Sequence, residues 1–248
     1  MIRFRFGLTP LDQVAPWGRE ERRLHWFGLT DGWYWIQLGE HELLRYAPEI
    51  LERRRDVPTA QHPYVDYYLA RLWEDVISLT LAVMQPVPDD LLPLMSGERD
   101  DWLEPDTDEW WAAASWYDDH TLNLGYLLQA PEIRAWRTVA DGADVVTVTW
   151  RHRDDGDIRF TAAPAGRVTL PAESFAAAAR QLDRELMAAM GQRIDELERT
   201  GPPEDVQLDL DQVRAEHLDR SNWLSRRLST PPVTDWAAVR TGVPLLLR

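Results

Sequence analysis

The sequence predicts an α+β fold in a single domain, with an antiparallel meander and a hairpin packed against three substantial helices. Three observations carry that expectation. The N-terminal part alternates apolar and polar residues with period two, two later stretches repeat apolar residues every three or four positions, and a second pair of short alternating runs lies between those stretches. At 248 residues and 44% apolar content, the chain is long enough to bury such a core without staples.

Ile2, Phe4 and Phe6 alternate with Arg3 and Arg5 and read as a half-buried strand. Residues 24–29 and 33–38 flank Asp31-Gly32, the dipeptide suited to a two-residue type I′ turn, and are expected to form a tight hairpin. In that register Tyr34, Ile36 and Leu38 share one face with His25, Phe27 and Leu29, and Trp33, Trp35 and Gln37 share the other with Trp26 and Gly28. Both faces are then apolar, which predicts a sheet covered on both sides with Trp33 and Trp35 in the core. Residues 41–46 would complete the meander.

Pro63 opens and Pro86 stops a predicted helix whose stripe is Val65, Leu69, Leu72, Val76, Leu79 and Val83. Residues 121–138 are ambiguous, since Leu122, Leu124, Tyr126 and Leu128 alternate like a strand until Pro131 interrupts them. Residues 145–150 and 157–162 flank Asp154-Asp155-Gly156 and read as a second hairpin, and 168–170 read as a further short strand. A long helix is expected from about Pro171, with Phe175, Ala179, Leu182, Leu186, Met190, Ile194 and Leu197 on one face, ending at Gly201-Pro202-Pro203. Asp209-x-x-Gln212 is a capping pattern for the last substantial helix, and Thr234 is a candidate cap for a brief one reaching Gly242.

Composition removes several chemistries. There is no cysteine, so disulfides, thiolate metal sites and cysteine nucleophiles are excluded. All 27 basic residues are arginine, which also excludes a phosphate-loop lysine, a Schiff base and a lysine general base. The start of the chain lacks the apolar run of a signal peptide, and no uncharged apolar stretch approaches the roughly 20 residues that span a bilayer, so a cytoplasmic location is expected.

The net charge is -15, which argues against binding a nucleic-acid backbone. Its distribution is uneven. Residues 85–120 hold eleven acids and one arginine, a net of -10 in about one seventh of the chain. Asp100, Asp101, Trp102, Glu104, Asp106, Asp108, Glu109, Trp110, Trp111, Asp118 and Asp119 crowd together there with Trp116 and Tyr117, and a short helix is expected around 110–117. Residues 86–120 therefore read as an acidic, Trp-rich insertion or surface segment of the single domain.

No stretch specifies a reaction. His41-Glu42-Leu43-Leu44-Arg45 starts like a zinc-protease motif but has Arg45 where the second histidine belongs. Asp118-Asp119-His120 offers good ligand types on adjacent, diverging side chains, and His62 with Asp66 suits a capping or ion-pair role. There is no Gly-x-Ser-x-Gly elbow. Neither a metal site nor a cofactor is expected.

The stretches FRFGLTPLDQVAPWG, LHWFGLTDGWYWIQLGEHELLRY, LGYLLQAPEIRAWRT and VTLPAESFAAAARQLDRELMAAMGQRI resemble an uncharacterised family of actinobacterial proteins of unknown function. That family has no assigned activity or catalytic residue, so the resemblance transfers no role to any position. The expectation from the residues is a non-enzymatic binding protein that presents the eleven residues named above to a basic protein partner, as an immunity protein or antitoxin does. Three alternatives stand beside it, one of them a DNA mimic whose carboxylates are spaced like phosphates along one exposed face. The tryptophans of the segment could fold back onto the core, or the protein could bind a small molecule or carbohydrate, or hydrolyse one, with Trp stacking and paired carboxylates.

Overall fold

The computed structural model describes residues 1–54, 62–97, 107–152, 156–230 and 233–246. In chain order the elements are β1 (Ile2–Leu8), β2 (Asp31–Leu38), β3 (His41–Leu43), α1 (Pro48–Arg53), β4 (Val65–Tyr68), α2 (Leu69–Met84) and α3 (Leu92–Ser96). There follow α4 (Asp108–Asp119), β5 (Glu132–Ala140), β6 (Ala143–Arg151), β7 (Ala165–Pro171), α5 (Ala172–Thr200), α6 (Leu210–Arg220), α7 (Trp223–Ser229) and α8 (Trp236–Leu246). The α+β class is as the sequence predicts: two antiparallel sheets and a set of helices.

Strand β2 is the hub of the first sheet. It pairs with β1 along its whole length, with β3 over Ile36–Leu38 and with β4 over Asp31–Tyr34. Alternation puts Tyr34, Ile36 and Leu38 on the inner face, in register with Phe6, Phe4 and Ile2. Phe4 meets Phe175 of α5 edge-on at 6.4 Å, and α2 lies alongside α5. The stripes of both long helices are buried as their periodicity predicts, from Leu69 to Val83 in α2 and from Phe175 to Leu197 in α5.

The expected hairpin at Asp31-Gly32 is not formed. Residues Gly28–Thr30 make a 3-10 turn, and Asp31-Gly32 open β2 instead. The non-local partner β1 claims the full strand, and Gly32 sits opposite Leu8 so tightly that a Cβ there would overlap the Gly7 carbonyl. The glycine therefore serves close backbone approach rather than a turn. A true two-residue turn of this composition joins β5 to β6, where Asp141 (φ 51°) and Gly142 (φ 78°) both have the positive φ that type I′ requires.

Trp33 and Trp35 are half-buried on the outer face of the sheet, not in the core. Trp33 lies over Gly7 and stacks on His62 at 4.4 Å, while Trp35 stacks on Tyr64 at 4.0 Å. The residues before α2 also differ from the single helix expected from Pro63: Val65–Tyr68 pair with β2, and the helix starts at Leu69. The third meander strand is shorter than expected, ending at Leu43.

The second sheet runs β5-β6-β7. The proposed hairpin of 145–150 with 157–162 is replaced by pairing of β6 with β5 and β7; Phe160 instead bridges Tyr46, and residues 153–155 of the supposed turn lie outside the described residues. The 168–170 strand is part of β7. Asp209 caps α6 by accepting from the Gln212 amide at 3.0 Å, as its pattern predicts. Thr234 does not cap α8; its hydroxyl donates to Gln85, and Asp235 accepts from the Ala237 and Ala238 amides instead.

Candidate functional site

Helix α4 carries the C-terminal part of the acidic segment. Thr107 caps it by accepting from the Trp110 amide, and Asp108 and Glu109 lie in the first turn, where the helix dipole favours negative charge. Trp110, Ala113, Ala114, Trp116 and Tyr117 are buried. They form two small clusters against α3, α8 and Trp136, separate from the main core. Gly242 of α8 sits against the α4 backbone so closely that a Cβ would overlap the Glu109 carbonyl, and Trp116 meets Trp236 edge-on at 5.8 Å.

The tryptophans of this segment thus divide. Trp110, expected to contact a partner, is only 4% exposed and belongs to the α4–α8 seam, whereas Trp111 is 51% exposed. Asp108, Glu109, Asp118 and Asp119 are exposed as well. Asp100, Asp101, Trp102, Glu104 and Asp106 lie outside the described residues.

At its C-terminal end α4 borders a groove of about 670 Å³. Helix α2 contributes Arg71, Glu74, Asp75 and Ser78, the end of α4 and the segment after it contribute Asp118, Asp119, Thr121 and Asn123, and α7 contributes Trp223 and Arg227. Asp118 and Asp119 stand out in the sequence, whereas the remaining lining residues do not. One signal was available: Asp75 falls between Leu72 and Leu79 on the apolar stripe of α2, a charged residue at a position the periodicity reserves for the core.

Burial dominates the electrostatics. Asp75 is 8% exposed, and its pKa is pushed up to about 7 by desolvation, with Arg71 opposing, Glu74 adding to the shift and a hydrogen bond from Tyr126 opposing it. Its Oδ2 has no hydrogen-bond partner among the described residues; Arg71 Nε stands 3.6 Å away, beyond hydrogen-bonding distance. Partial desolvation and then the Asp118 charge hold Asp119 above the ordinary carboxylate value. Beside the groove His120 is buried, donates from Nδ1 to the Trp116 carbonyl at 2.8 Å, and is pushed down to about 4 by desolvation.

Behind the groove wall lies a filled cation cage. The Arg220 guanidinium donates to Glu74 at 2.6 Å and to Glu216 at 2.8 Å, and its central carbon is 4.5 Å from the Trp26 ring and 4.6 Å from the Trp223 ring. Trp73 stacks on Trp223 at 5.5 Å and donates from its indole N–H to Asp183 of α5. Glu74 and Trp223 are therefore shared between cage and groove.

The other candidate stretches settle into structural roles. His41 and Glu42 are on a strand, and Glu42 accepts from Arg45 at 2.6 Å. His62 stacks on Trp33, while Asp66 pairs with Arg54 at 2.5 Å. Among the described residues no group of three or more His, Asp and Glu side chains is placed to hold a metal ion, and no helix is long and apolar enough to cross a membrane.

Fold and site together define an antiparallel α+β protein with an acidic groove between helices. The chain belongs to a family of unknown function (DUF5984), whose model matches residues 3–242. Comparison with curated proteins and with solved structures finds no match.

Proposed function

We propose that the protein is a non-enzymatic, cytoplasmic binding protein that holds a basic protein partner on the acidic edge of α4, in the manner of an immunity protein or antitoxin. The observation that carries this reading is the division of α4: its apolar side is fixed against α8, and Asp108, Glu109, Trp111, Asp118 and Asp119 are left on the exposed side. A rigid helix edge of one charge steers a basic partner and raises its association rate by about 10- to 1,000-fold. Trp111 supplies an aromatic anchor within the charged edge.

The test is a pull-down with the wild-type chain and with a variant carrying Asp108→Asn, Glu109→Gln, Asp118→Asn and Asp119→Asn. Loss of a basic partner with unchanged thermal stability supports the reading, and equal recovery by both chains sinks it.

A second reading is favoured by the groove. Its volume lies within the roughly 300–1,000 Å³ of small-molecule sites, and it holds one carboxyl near half-ionisation at neutral pH beside three further acids. A small-molecule or carbohydrate ligand, bound or hydrolysed there, would raise the melting temperature of the wild type and not that of Asp75→Asn.

A further inference from the structure

The groove is lined by four carboxyls, Glu74, Asp75, Asp118 and Asp119, against two guanidiniums, Arg71 and Arg227, and two of its buried polar atoms are left without a partner among the described residues. Glu74 spends Oε1 on Arg220, and its Oε2 has Arg71 Nη1 at 3.7 Å, too far for a hydrogen bond. Asp75 Oδ2 and Thr121 Oγ1 are both buried without a hydrogen-bond partner among the described residues. Asp118 and Asp119 approach from the opposite wall, at the C-terminal end of α4, where the helix dipole adds partial negative charge. Each of these features lowers the energy of a cation in the groove.

The form of the cation follows from the spread of the acceptors. They come from two helices and the segment after α4, across a space of about 670 Å³, and do not converge as the ligands of a metal ion would. A guanidinium matches such a set, because its five N–H donors fan out in a plane and reach acceptors on more than one side. The protein already meets a guanidinium in this way one layer deeper, where Glu74, Glu216 and the faces of Trp26 and Trp223 enclose Arg220.

We infer that the groove seats a single guanidinium group, the side chain of an arginine carried by the basic partner; the inference rests on the reading proposed above. Glu74 and Asp75 on α2 take the inward-facing donors, and Asp118 and Asp119 take those on the α4 side. Arg71, held at 3.6–3.7 Å from both acids of α2, is displaced outward or shares them.

The experiment is an NMR titration of the full chain with N-acetyl-arginine amide, N-acetyl-lysine amide and the uncharged isostere N-acetyl-citrulline amide. The arginine probe is expected to bind with a Kd of about 1–10 mM, the range of a small single-group ligand, and to shift Thr121, Asn123 and the Trp223 indole. Asp75→Asn, or Asp118→Asn with Asp119→Asn, should weaken it about tenfold, the cost of removing a charge partner. Absence of shifts at those residues, equal binding of the citrulline probe, or lysine binding as tight as arginine overturns the inference. The two proposals fail separately. If the probe does not bind but the pull-down is lost with Asp108→Asn and Glu109→Gln, the groove seat is wrong and the partner surface stands. If the probe binds and no acidic substitution affects the pull-down, the partner reading is wrong and the guanidinium site stands.

Discussion

Two neighbouring places on either side of Glu74 and Trp223 treat positive charge differently. On the inner side, Arg220 has two carboxylate partners at 2.6 and 2.8 Å and aromatic rings on its faces. On the groove side, Arg71 stands 3.7 Å from Glu74 and 3.6 Å from Asp75, and burial pushes the Asp75 carboxyl up to about 7 against the opposing pull of Arg71. A filled cage fixes α6 and α7 to α2, whereas on the groove side Asp75 Oδ2 and Thr121 Oγ1 are buried without a hydrogen-bond partner among the described residues. The difference is one of hydrogen-bond completion rather than of net charge.

The largest effect expected from breaking the comparison comes from the cage. Arg220→Ala leaves Glu74 and Glu216 without their partner and opens a gap among Trp26, Trp73 and Trp223, so urea denaturation should show a loss of about 2–4 kcal/mol. Arg220→Lys keeps the charge but not the fork, and should lose roughly half as much. If Arg220→Ala unfolds at the wild-type midpoint, cage and groove do not differ as described.

The far wall of the groove depends on the seat of α4. Gly242→Ala places a methyl against the Glu109 carbonyl and the Ala113 side chain, which must force α4 and α8 apart. A cost of about 2 kcal/mol is expected despite the better helix propensity of alanine, measurable as a lower unfolding midpoint with loss of Trp110 and Trp116 near-ultraviolet signal.

The groove and its border should also show in pH dependence, with opposite signs. Asp75 has an ordinary pKa of 3.8 and a folded value of about 7, so between those values the folded chain holds the extra proton and stability falls as pH rises. His120 has an ordinary value of 6.5 and a folded value of about 4, so there the unfolded chain holds the extra proton and stability is lost as pH falls. At most about 1.4 kcal/mol per pH unit is involved for each, and the two slopes cancel over most of their shared window. Asp75→Asn should therefore give a chain that gains stability from about pH 4.5 to about 6.5, and His120→Gln one that loses it over the same range. Parallel profiles for the two variants would contradict the assigned environments.

The smallest effect on stability is expected at Trp111. Trp111→Ala removes a ring that is 51% exposed and should change the unfolding free energy by less than about 0.5 kcal/mol. Under the proposed function the same change weakens partner binding, so a variant that folds normally and binds normally counts against Trp111 as an anchor.

Much of the fold was legible because it is encoded locally. The stripes of α2 and α5, the alternation of Ile2, Phe4 and Phe6 and the cap at Asp209 each depend on residues within a few positions of one another. Asp31-Gly32 and Asp141-Gly142 show where such encoding stops. The same dipeptide opens a strand in one place and turns a hairpin in the other, and the difference is whether a more distant strand competes for the pairing. The site was less legible. Asp118 and Asp119 stood out through local charge density, but Asp75 carried only the sign of a carboxyl on an apolar stripe, and Trp223 and Arg227 carried none.

The sequence by itself determined the α+β class, the two long helices, the chemistries ruled out by missing cysteine and lysine, and the concentration of acid before His120. Tertiary structure alone decided that β1 rather than residues 24–29 pairs with β2, that Trp110 turns inward while Trp111 turns out, and that Glu74 and Asp75 meet Asp118 and Asp119 across one groove. The physical reason is that periodicity and caps fix a residue's place on its own element. Its exposure, its pKa and its partners are set by whichever distant element packs against that face.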